Sequence, residues 1–212
     1  MTARQRGRAP DRRPADPPAH RREGAAVDED ALAAQIGAGL PGCGLDAGQH
    51  PDLAAGLAAY LALLVRWNAK WNLTAVRDPR DMVVRHLFDS LAVDPWVQGP
   101  RIIDVGTGAG LPGIPLALLR PADRFTLLDS AGKRTRFLQH VVARLGLENV
   151  EVVQARVEDY HGAAGFDTVV SRAFTSIDGF AATAGHLCGP GGRLLAMAGR
   201  FPADDLAAMP DG

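Results

Sequence analysis

The sequence predicts an α/β fold in which a mostly parallel sheet is flanked by helices. From residue 101 onward, short β-rich runs alternate with helical stretches, which is the pattern of consecutive strand–helix units. A glycine-rich loop follows the first of these runs, at the position where such sheets bind ligands. A purely helical segment precedes that run. The 212 residues are enough for one domain with a full hydrophobic core.

The composition excludes an intrinsically disordered chain and a wholly basic nucleic-acid binder. Hydrophobic residues make up 47% and charged residues 22% of the chain, and the net charge is -1. That charge is uneven, because residues 1–26 carry seven arginines against three acidic residues, a net of +4. These residues are Arg- and Pro-rich with few large apolar side chains, so we predict a disordered tail. Such a tail could contact RNA, or it could be a solvated extension.

No membrane or metal site is expected. The longest apolar run, residues 53–65, is shorter than the roughly 18 to 20 residues that span a bilayer. The N-terminus has no apolar core of a secretory signal, and two separate cysteines are typical of reduced thiols in a cytoplasmic protein. Cys43 and Cys188 lie far apart, and the six histidines show no metal-ligand spacing.

Residues 27–98 form the predicted N-terminal helical segment. One helix is indicated by apolar side chains at helical spacing, with Asp52 as its N-cap. These side chains are Leu53, Leu57, Tyr60, Leu61, Leu64 and Trp67. A second helix is predicted to begin at the N-cap Asp78, with Pro79 in its first turn. Its apolar face carries Met82, Val83, His86 and Leu87.

Residues 99–212 are predicted to contain the sheet. The strands are expected at 102–105, 124–128, 150–154, 166–170 and 193–197. The intervening helices are expected at 112–119, 133–145 and 177–187. Because the carboxyl ends of parallel strands share one edge of a sheet, the ligand site is expected along that edge.

The glycine loop after the first strand can be read in two registers. Gly108-x-Gly110-x-x-Gly113 matches the dinucleotide-binding fingerprint, whereas Gly106-x-Gly108-x-Gly110 matches an S-adenosylmethionine loop.

Three features favour the second register. The first predicted strand ends directly before Gly106. Asp104 can accept a hydrogen bond from the methionine amine or hold loop amides, but it would repel a pyrophosphate. Pro112 lacks the free amide that a phosphate-binding helix would use.

Two further acidic positions fit a nucleoside-containing cofactor. Asp129 ends the second predicted strand, where a carboxylate can accept hydrogen bonds from both ribose hydroxyls. Val157 and Glu158 follow the third strand, where loop residues commonly meet an adenine edge. Taken alone, Glu158 would be a solvated surface charge.

Several strings in one order resemble the RsmG (glucose-inhibited division protein B) family of bacterial 16S rRNA guanine-N7 methyltransferases. The strings are WNAKWNLT (67–74), RHLFDS (85–90), DVGTGAGLPGIP (104–115), LLDSAGKR (127–134), RVE (156–158) and SRAF (171–174). The resemblance covers about residues 50–210. It implies a Rossmann-like class I methyltransferase that uses S-adenosylmethionine to methylate N7 of guanosine 527 in the small ribosomal subunit.

The resemblance also implies functional residues. The implied cofactor contacts are Gly106, Leu111, Val157, Glu158 and Arg172, with Asp104 and Asp129 added from the fold. Guanine N7 has no proton to remove, so no catalytic base is expected. Candidate RNA contacts are Arg85, His86, Lys133, Arg134 and Arg136. The alternatives are a packed helix around His86 and a solvated basic face on the helix that carries Lys133.

The end of the chain departs from the usual pattern of this fold. Residues 199–212 predict a short helix between prolines, so we expect the C-terminal antiparallel hairpin to be missing. Two other hypotheses therefore stay open. One is a shortened chain that binds cofactor without turnover, and the other is a dinucleotide-dependent oxidoreductase in the shifted glycine register. A monomer is expected.

Overall fold

Five parallel strands form the centre of the fold. The computed structural model describes residues 27–162, 165–172, 174 and 176–197. The strands are β1 (Arg101–Val105), β2 (Arg124–Asp129), β3 (Val150–Gln154), β4 (Phe166–Ser171) and β5 (Cys188–Ala196). Their order in the sheet is β3-β2-β1-β4-β5, and every neighbouring pair is parallel. The predicted fold class is therefore confirmed, and the switch point of the sheet lies between β1 and β4.

Helices lie before the sheet and between its strands. They are α1 (Glu29–Gly39), α2 (Leu53–Trp71), α3 (Pro79–Met82), α4 (Asp89–Leu91), α5 (Gly113–Leu119), α6 (Gly132–Leu145) and α7 (Ile177–Ala184). A π-helical turn, Val83–Phe88, joins α3 to α4. Short 3₁₀ turns are formed by Leu40–Cys43, Asp94–Trp96, Val157–Asp159 and Gly185–Leu187. Within the described part of the chain, no helix is long and apolar enough to cross a membrane.

Four strands lie within a residue of their predicted bounds, but the predicted start of the fifth is wrong. β5 begins at Cys188, five residues earlier than expected, because Phe166 pairs with Cys188 while Thr168 pairs with Arg193. Residues 189–192 form the resulting irregularity, and their Gly-Pro-Gly-Gly sequence has no strand signal. At Gly192 a Cβ atom would lie 2.6 Å from the Phe166 carbonyl oxygen, so the close approach requires glycine.

The N-terminal helices bury the predicted apolar face. All of its predicted members on α2 are buried except Trp67, which is partly buried. Asp78 caps α3 as predicted, because its side chain accepts a hydrogen bond from Arg80 N at 2.8 Å. Asp52 stands at the start of α2 but makes no such bond, since its own backbone is helical rather than extended.

The core is continuous between the N-terminal helices and the sheet. One cluster of buried side chains includes Leu57 and Leu61 of α2, Ile114 of α5, Phe137 of α6 and Leu127 of β2. Phe180 of α7 belongs to a second cluster with β1 and β4. The predicted tail 1–26 and the expectation for 199–212 lie outside the described residues.

Candidate functional site

The glycine loop turns sharply at the carboxyl end of β1. Gly106, Gly108 and Gly110 have φ values of 66°, 62° and 95°, which favour glycine. The amides of Gly106 and Thr107 donate to the Leu128 carbonyl oxygen at 2.8 and 3.1 Å, so the loop is tied to β2. The loop therefore opens at Gly106, directly after the strand, as the S-adenosylmethionine register predicts.

Asp104 lies under this loop and is fully buried. Its Oδ2 accepts hydrogen bonds from the Thr107 hydroxyl at 2.7 Å and from Gly113 N at 2.8 Å. No group among the described residues donates to its Oδ1. Burial raises the pKa of Asp104 to about 6, although these hydrogen bonds and the charge of Arg172 act in the opposite direction. Asp104 thus holds the Gly113 amide and the Thr107 hydroxyl, while its other oxygen is buried without a donor among the described residues.

Asp129 ends β2, and its carboxylate accepts three hydrogen bonds. Its Oδ1 accepts from Ala131 N at 2.8 Å, and its Oδ2 accepts from Gly108 N at 3.0 Å and from Arg134 Nη1 at 3.2 Å. A carboxylate offers about four acceptor positions, so these donors leave about one. A ligand with two hydroxyls could bind both to Asp129 only if Arg134 moved away.

A cavity of about 330 Å³ opens beside Asp129, at the carboxyl ends of β1 and β2, and Asp104 lies beneath it rather than in its lining. Of the predicted cofactor residues, it is lined by Gly106, Asp129, Val157 and Glu158. Leu111 instead packs in the core beneath the loop. A larger depression of about 970 Å³ at the opposite end of the strands contains none of the predicted site residues.

Arg172, the last predicted cofactor residue, lies outside the lining of this cavity. It follows β4, and its Nη1 lies 3.4 Å from the Arg85 carbonyl oxygen. Its positive charge opposes the rise in the pKa of Asp104 that burial causes. Arg172 therefore connects the carboxyl edge of the sheet with the N-terminal helices.

His86 is only 6% exposed and belongs to a hydrogen-bonded network. Its Nε2 lies 2.8 Å from the Thr74 hydroxyl, and its Nδ1 lies 3.0 Å from the Arg85 carbonyl oxygen. A carbonyl can only accept, so Nδ1 carries a proton and Thr74 donates to Nε2 of a neutral ring. Burial lowers the pKa of His86, and the charges of Arg172 and Arg85 lower it further. These contacts match the packed-helix alternative.

The basic residues of α6 separate into two groups. Arg134 pairs with Asp129 on the cavity side, which the sequence did not indicate. Lys133 and Arg136 are exposed, and Arg136 donates to the Gly132 carbonyl oxygen at 3.0 Å.

Sequence reasoning also missed a polar contact of Tyr60. Its hydroxyl donates to the Ala109 carbonyl oxygen at 2.8 Å, so α2 holds the glycine loop directly. The available signal was a tyrosine on an apolar helix face, since a buried hydroxyl needs a partner. The contact places α2 in the support of the candidate site.

The chain is similar to proteins of known family over most of its length. The family model "rRNA small subunit methyltransferase G" matches residues 53–211. The Ribosomal RNA small subunit methyltransferase G of Alkalilimnicola ehrlichii is 54% identical over 157 residues, which are 74% of this chain and 71% of that protein. The protein of the same name from Salmonella agona is 54% identical over 155 residues, 73% of this chain and 75% of that protein.

Proposed function

Because the chain belongs to the rRNA small subunit methyltransferase G family, we propose that it transfers a methyl group from S-adenosylmethionine to N7 of a guanine in 16S rRNA. The observation that supports this reaction best is the cavity at the carboxyl edge, where Gly106, Asp129, Val157 and Glu158 meet. Its position beside the switch point is the usual ligand position of such a sheet.

The residues present fit the methyl donor. The unpartnered Oδ1 of Asp104 suits the donor's ammonium group, because a buried carboxylate oxygen needs a donor. Asp129 suits the ribose hydroxyls once Arg134 has moved away from it, and Val157 and Glu158 suit the adenine edge. Arg172 suits the donor's carboxylate, while Leu111 supports the loop from beneath.

The protein's main task in this reaction is to align guanine N7 with the methyl group of the donor. The bound donor supplies a methyl group on a sulfonium, which a nucleophile can attack directly. Guanine N7 presents a lone pair and has no proton to lose, so no side chain has to act as a base. The chain's residues hold the two reactants in line, which is an entropic contribution to the rate. We assign no catalytic residue.

The proposed RNA substrate is held by exposed cations around this edge. Arg85, Lys133 and Arg136 are exposed and suit phosphate contacts. His86 acts through packing, since it holds the helix that presents Arg85. Arg134 acts on the cofactor side through Asp129. We further propose that the protein works as a monomer in the cytoplasm, on 16S rRNA of the small ribosomal subunit.

The test is a methyl-transfer assay with labelled donor on small ribosomal subunits and on naked 16S rRNA. Both substrates come from cells that lack the modification. The expected product is N7-methylguanine, located by cleavage of the RNA at that base. Glu158→Gln should raise the donor dissociation constant, whereas Glu148→Gln, at the opposite end of the strands, should leave it unchanged.

Two results would contradict the proposal. Donor binding without transfer to either substrate would favour a chain that binds cofactor without turnover. Tight binding of a nicotinamide dinucleotide, without donor binding, would favour the oxidoreductase register of the glycine loop.

A further inference from the structure

We propose that Trp71, at the exposed end of α2, is an aromatic platform on which an unstacked base of the RNA substrate stacks. This inference rests on the proposed function and names a surface for its substrate outside the cofactor cavity. Trp71 is the last residue of α2, and its side chain is 47% exposed. Exposed aromatic rings beside cations are the usual means of holding single-stranded nucleic acid.

Contacts of the preceding helical turn place Trp71 beside α6. The Trp67 ring lies 5.5 Å from the rings of Phe137 and His140. Trp71 is four residues further along α2, so it lies on the same side of the helix, one turn nearer its end. On α6, Lys133 and Phe137 are likewise four residues apart and share one face. Gly56 lies against the last turn of α5 and Tyr60 bonds the glycine loop, so α2 runs towards the carboxyl edge of the sheet, opposite to α6. We therefore place Trp71 towards the start of α6, which carries Lys133.

Hydrogen bonds fix the chain that follows Trp71, including the cation Arg77. Asn72 ends α2 with a φ of 49°, and its Oδ1 accepts from Arg77 Nη2 at 2.7 Å. Asn68 Nδ2 donates to the Val76 carbonyl oxygen at 3.2 Å, which fixes the chain that follows the helix. Thr74 then bonds His86, next to the exposed Arg85. These bonds fix the segment that leads from Trp71 to Arg85, near the carboxyl edge of the sheet.

The charge around Trp71 suits a polyanion. The exposed cations on α2, on residues 72–85 and on the first turns of α6 include Arg66, Lys70, Arg77, Arg85, Lys133 and Arg136, whereas Arg80 lies beside Asp28 and Val65, on the α1 side of α2. The acidic residues of the same stretches are Asp78, whose side chain caps α3, and Asp81. An apolar docking partner would gain little from so many exposed cations, whereas an RNA strand supplies both phosphates and bases.

The chain contains a matched control for this surface. Trp96 is 56% exposed, in the turn Asp94–Trp96 that precedes β1. It therefore lies towards the amino ends of the strands, away from the proposed site. Asp94 in the same turn is paired with Arg120 at 3.0 Å. Loss of either exposed indole removes a similar apolar surface, so Trp96→Ala controls for that loss at a distance from the proposed site.

The experiment compares Trp71→Ala, Trp71→Tyr and Trp96→Ala in binding of 16S rRNA across a range of salt concentrations. Trp71→Ala should weaken binding about 5-fold or more, as expected for loss of one stacked base. The slope of log affinity against log salt should stay as in the wild type, because stacking releases no counterions. Trp71→Tyr should restore most of the affinity, and Trp96→Ala should have none of these effects. Lys70→Ala should instead lower the slope by about one.

The outcomes separate this inference from the proposed function. Equal RNA affinity of Trp71→Ala and the wild type, in an enzyme that methylates 16S rRNA, would overturn the platform alone. A lowered donor affinity in Trp71→Ala would also overturn it, because the platform lies outside the cofactor cavity. A wild-type protein that transfers no methyl group to any rRNA would contradict the proposed function itself.

Discussion

The two oxygens of the buried Asp104 carboxylate differ in their hydrogen bonding. Its Oδ2 is satisfied by Thr107 and Gly113, while its Oδ1 has no donor among the described residues. A buried charge without full compensation is costly, and this cost raises the pKa of Asp104 to about 6. If the donor's ammonium group binds this oxygen as proposed, it would remove the cost and so stabilise the bound state relative to the free protein.

The pH dependence of stability should reveal this cost. Because the pKa in the folded state is higher than in the unfolded chain, the free energy of unfolding falls as the pH rises from about 4 to about 6. At neutral pH the penalty amounts to about 3 kcal/mol. Asp104→Asn keeps an acceptor for Thr107 and Gly113 but cannot ionise. In denaturant unfolding without ligand, the free energy of unfolding of the variant should therefore not fall between about pH 4 and pH 6. At pH 8 it should be at least as large as that of the wild type.

The same variant should bind the methyl donor about 10-fold more weakly or worse, since a charge-assisted hydrogen bond to the ammonium is lost. In the wild type, donor affinity should fall as the pH drops below about 6. Titration calorimetry at pH 5 and pH 8 checks both expectations. Equal donor affinities of the variant and the wild type at pH 8 would show that Asp104 serves the loop alone.

The places of single residues could be predicted where the end of a strand decided them. Asp104 and Asp129 stand at strand ends, and strand ends follow from the β-rich runs of the sequence. The partner of Arg134 could not be predicted, because its ion pair depends on a side chain reaching back from α6 to Asp129. Burial of His86 was implied by the apolar face of its helix, and the structure confirms that face.

The junction of β1, the glycine loop and α5 is the most crowded element of the site. A Cβ atom at Gly113 would lie 2.2 Å from Leu127 Cδ2 and 2.9 Å from Asp104 Oδ2. The first residue of α5 therefore lies so close to β1 and β2 that it leaves no room for a Cβ atom. This contact brings Gly113 N within reach of the Asp104 carboxylate.

Gly113→Ala should lower the free energy of unfolding by about 1 to 3 kcal/mol, because the added methyl group overpacks a rigid junction. It should also weaken donor binding, since Asp104 and the loop must shift. Gly42→Ala is the matched control, because nothing lies within 4 Å of the added Cβ atom. Thermal unfolding of both variants with and without donor makes the comparison. A Gly113→Ala protein as stable as Gly42→Ala would contradict the crowding.

The bounds of an element could be predicted where apolar periodicity was strong. The prediction failed where glycine and proline interrupt a strand. The bounds of β3 matched in full, and α6 differed by one residue. β5 differed because residues 189–192 enter the strand through an irregular register with β4, which is a tertiary effect. The π-helical turn Val83–Phe88 has the same periodic face as an α-helix, so the sequence could not distinguish it.

The N-terminal helical segment and the sheet domain share one hydrophobic core, although the sequence predicted a boundary between them at residue 98. Buried side chains of α1 and α2 share one cluster with those of α5, α6 and β2. The sequence indicated an apolar face on α2 but gave no sign of which surface it covers. That docking depends on contacts between residues far apart in the chain, which periodicity cannot reveal.

A shared core predicts one cooperative unfolding transition. Tryptophan fluorescence reports largely on the N-terminal helices, where Trp67 and Trp71 lie, and circular dichroism reports on all elements. The two denaturant curves should coincide. Donor at 100 times its dissociation constant should stabilise the protein by about 2.7 kcal/mol in both. Separate transitions, or a donor shift seen by one probe only, would show that the helical segment unfolds independently.

The hydrogen bond from Tyr60 to Ala109 has a consequence for the order of events in a turnover. Tyr60 and Trp71 are eleven residues apart on one helix, about 16 Å along its axis. If Trp71 holds the RNA as proposed, the same helix contacts the donor's loop at one point and the RNA at another, so a shift of the helix for one ligand would change the binding of the other. Donor and RNA should therefore alter each other's affinity by the same factor, as thermodynamic reciprocity requires.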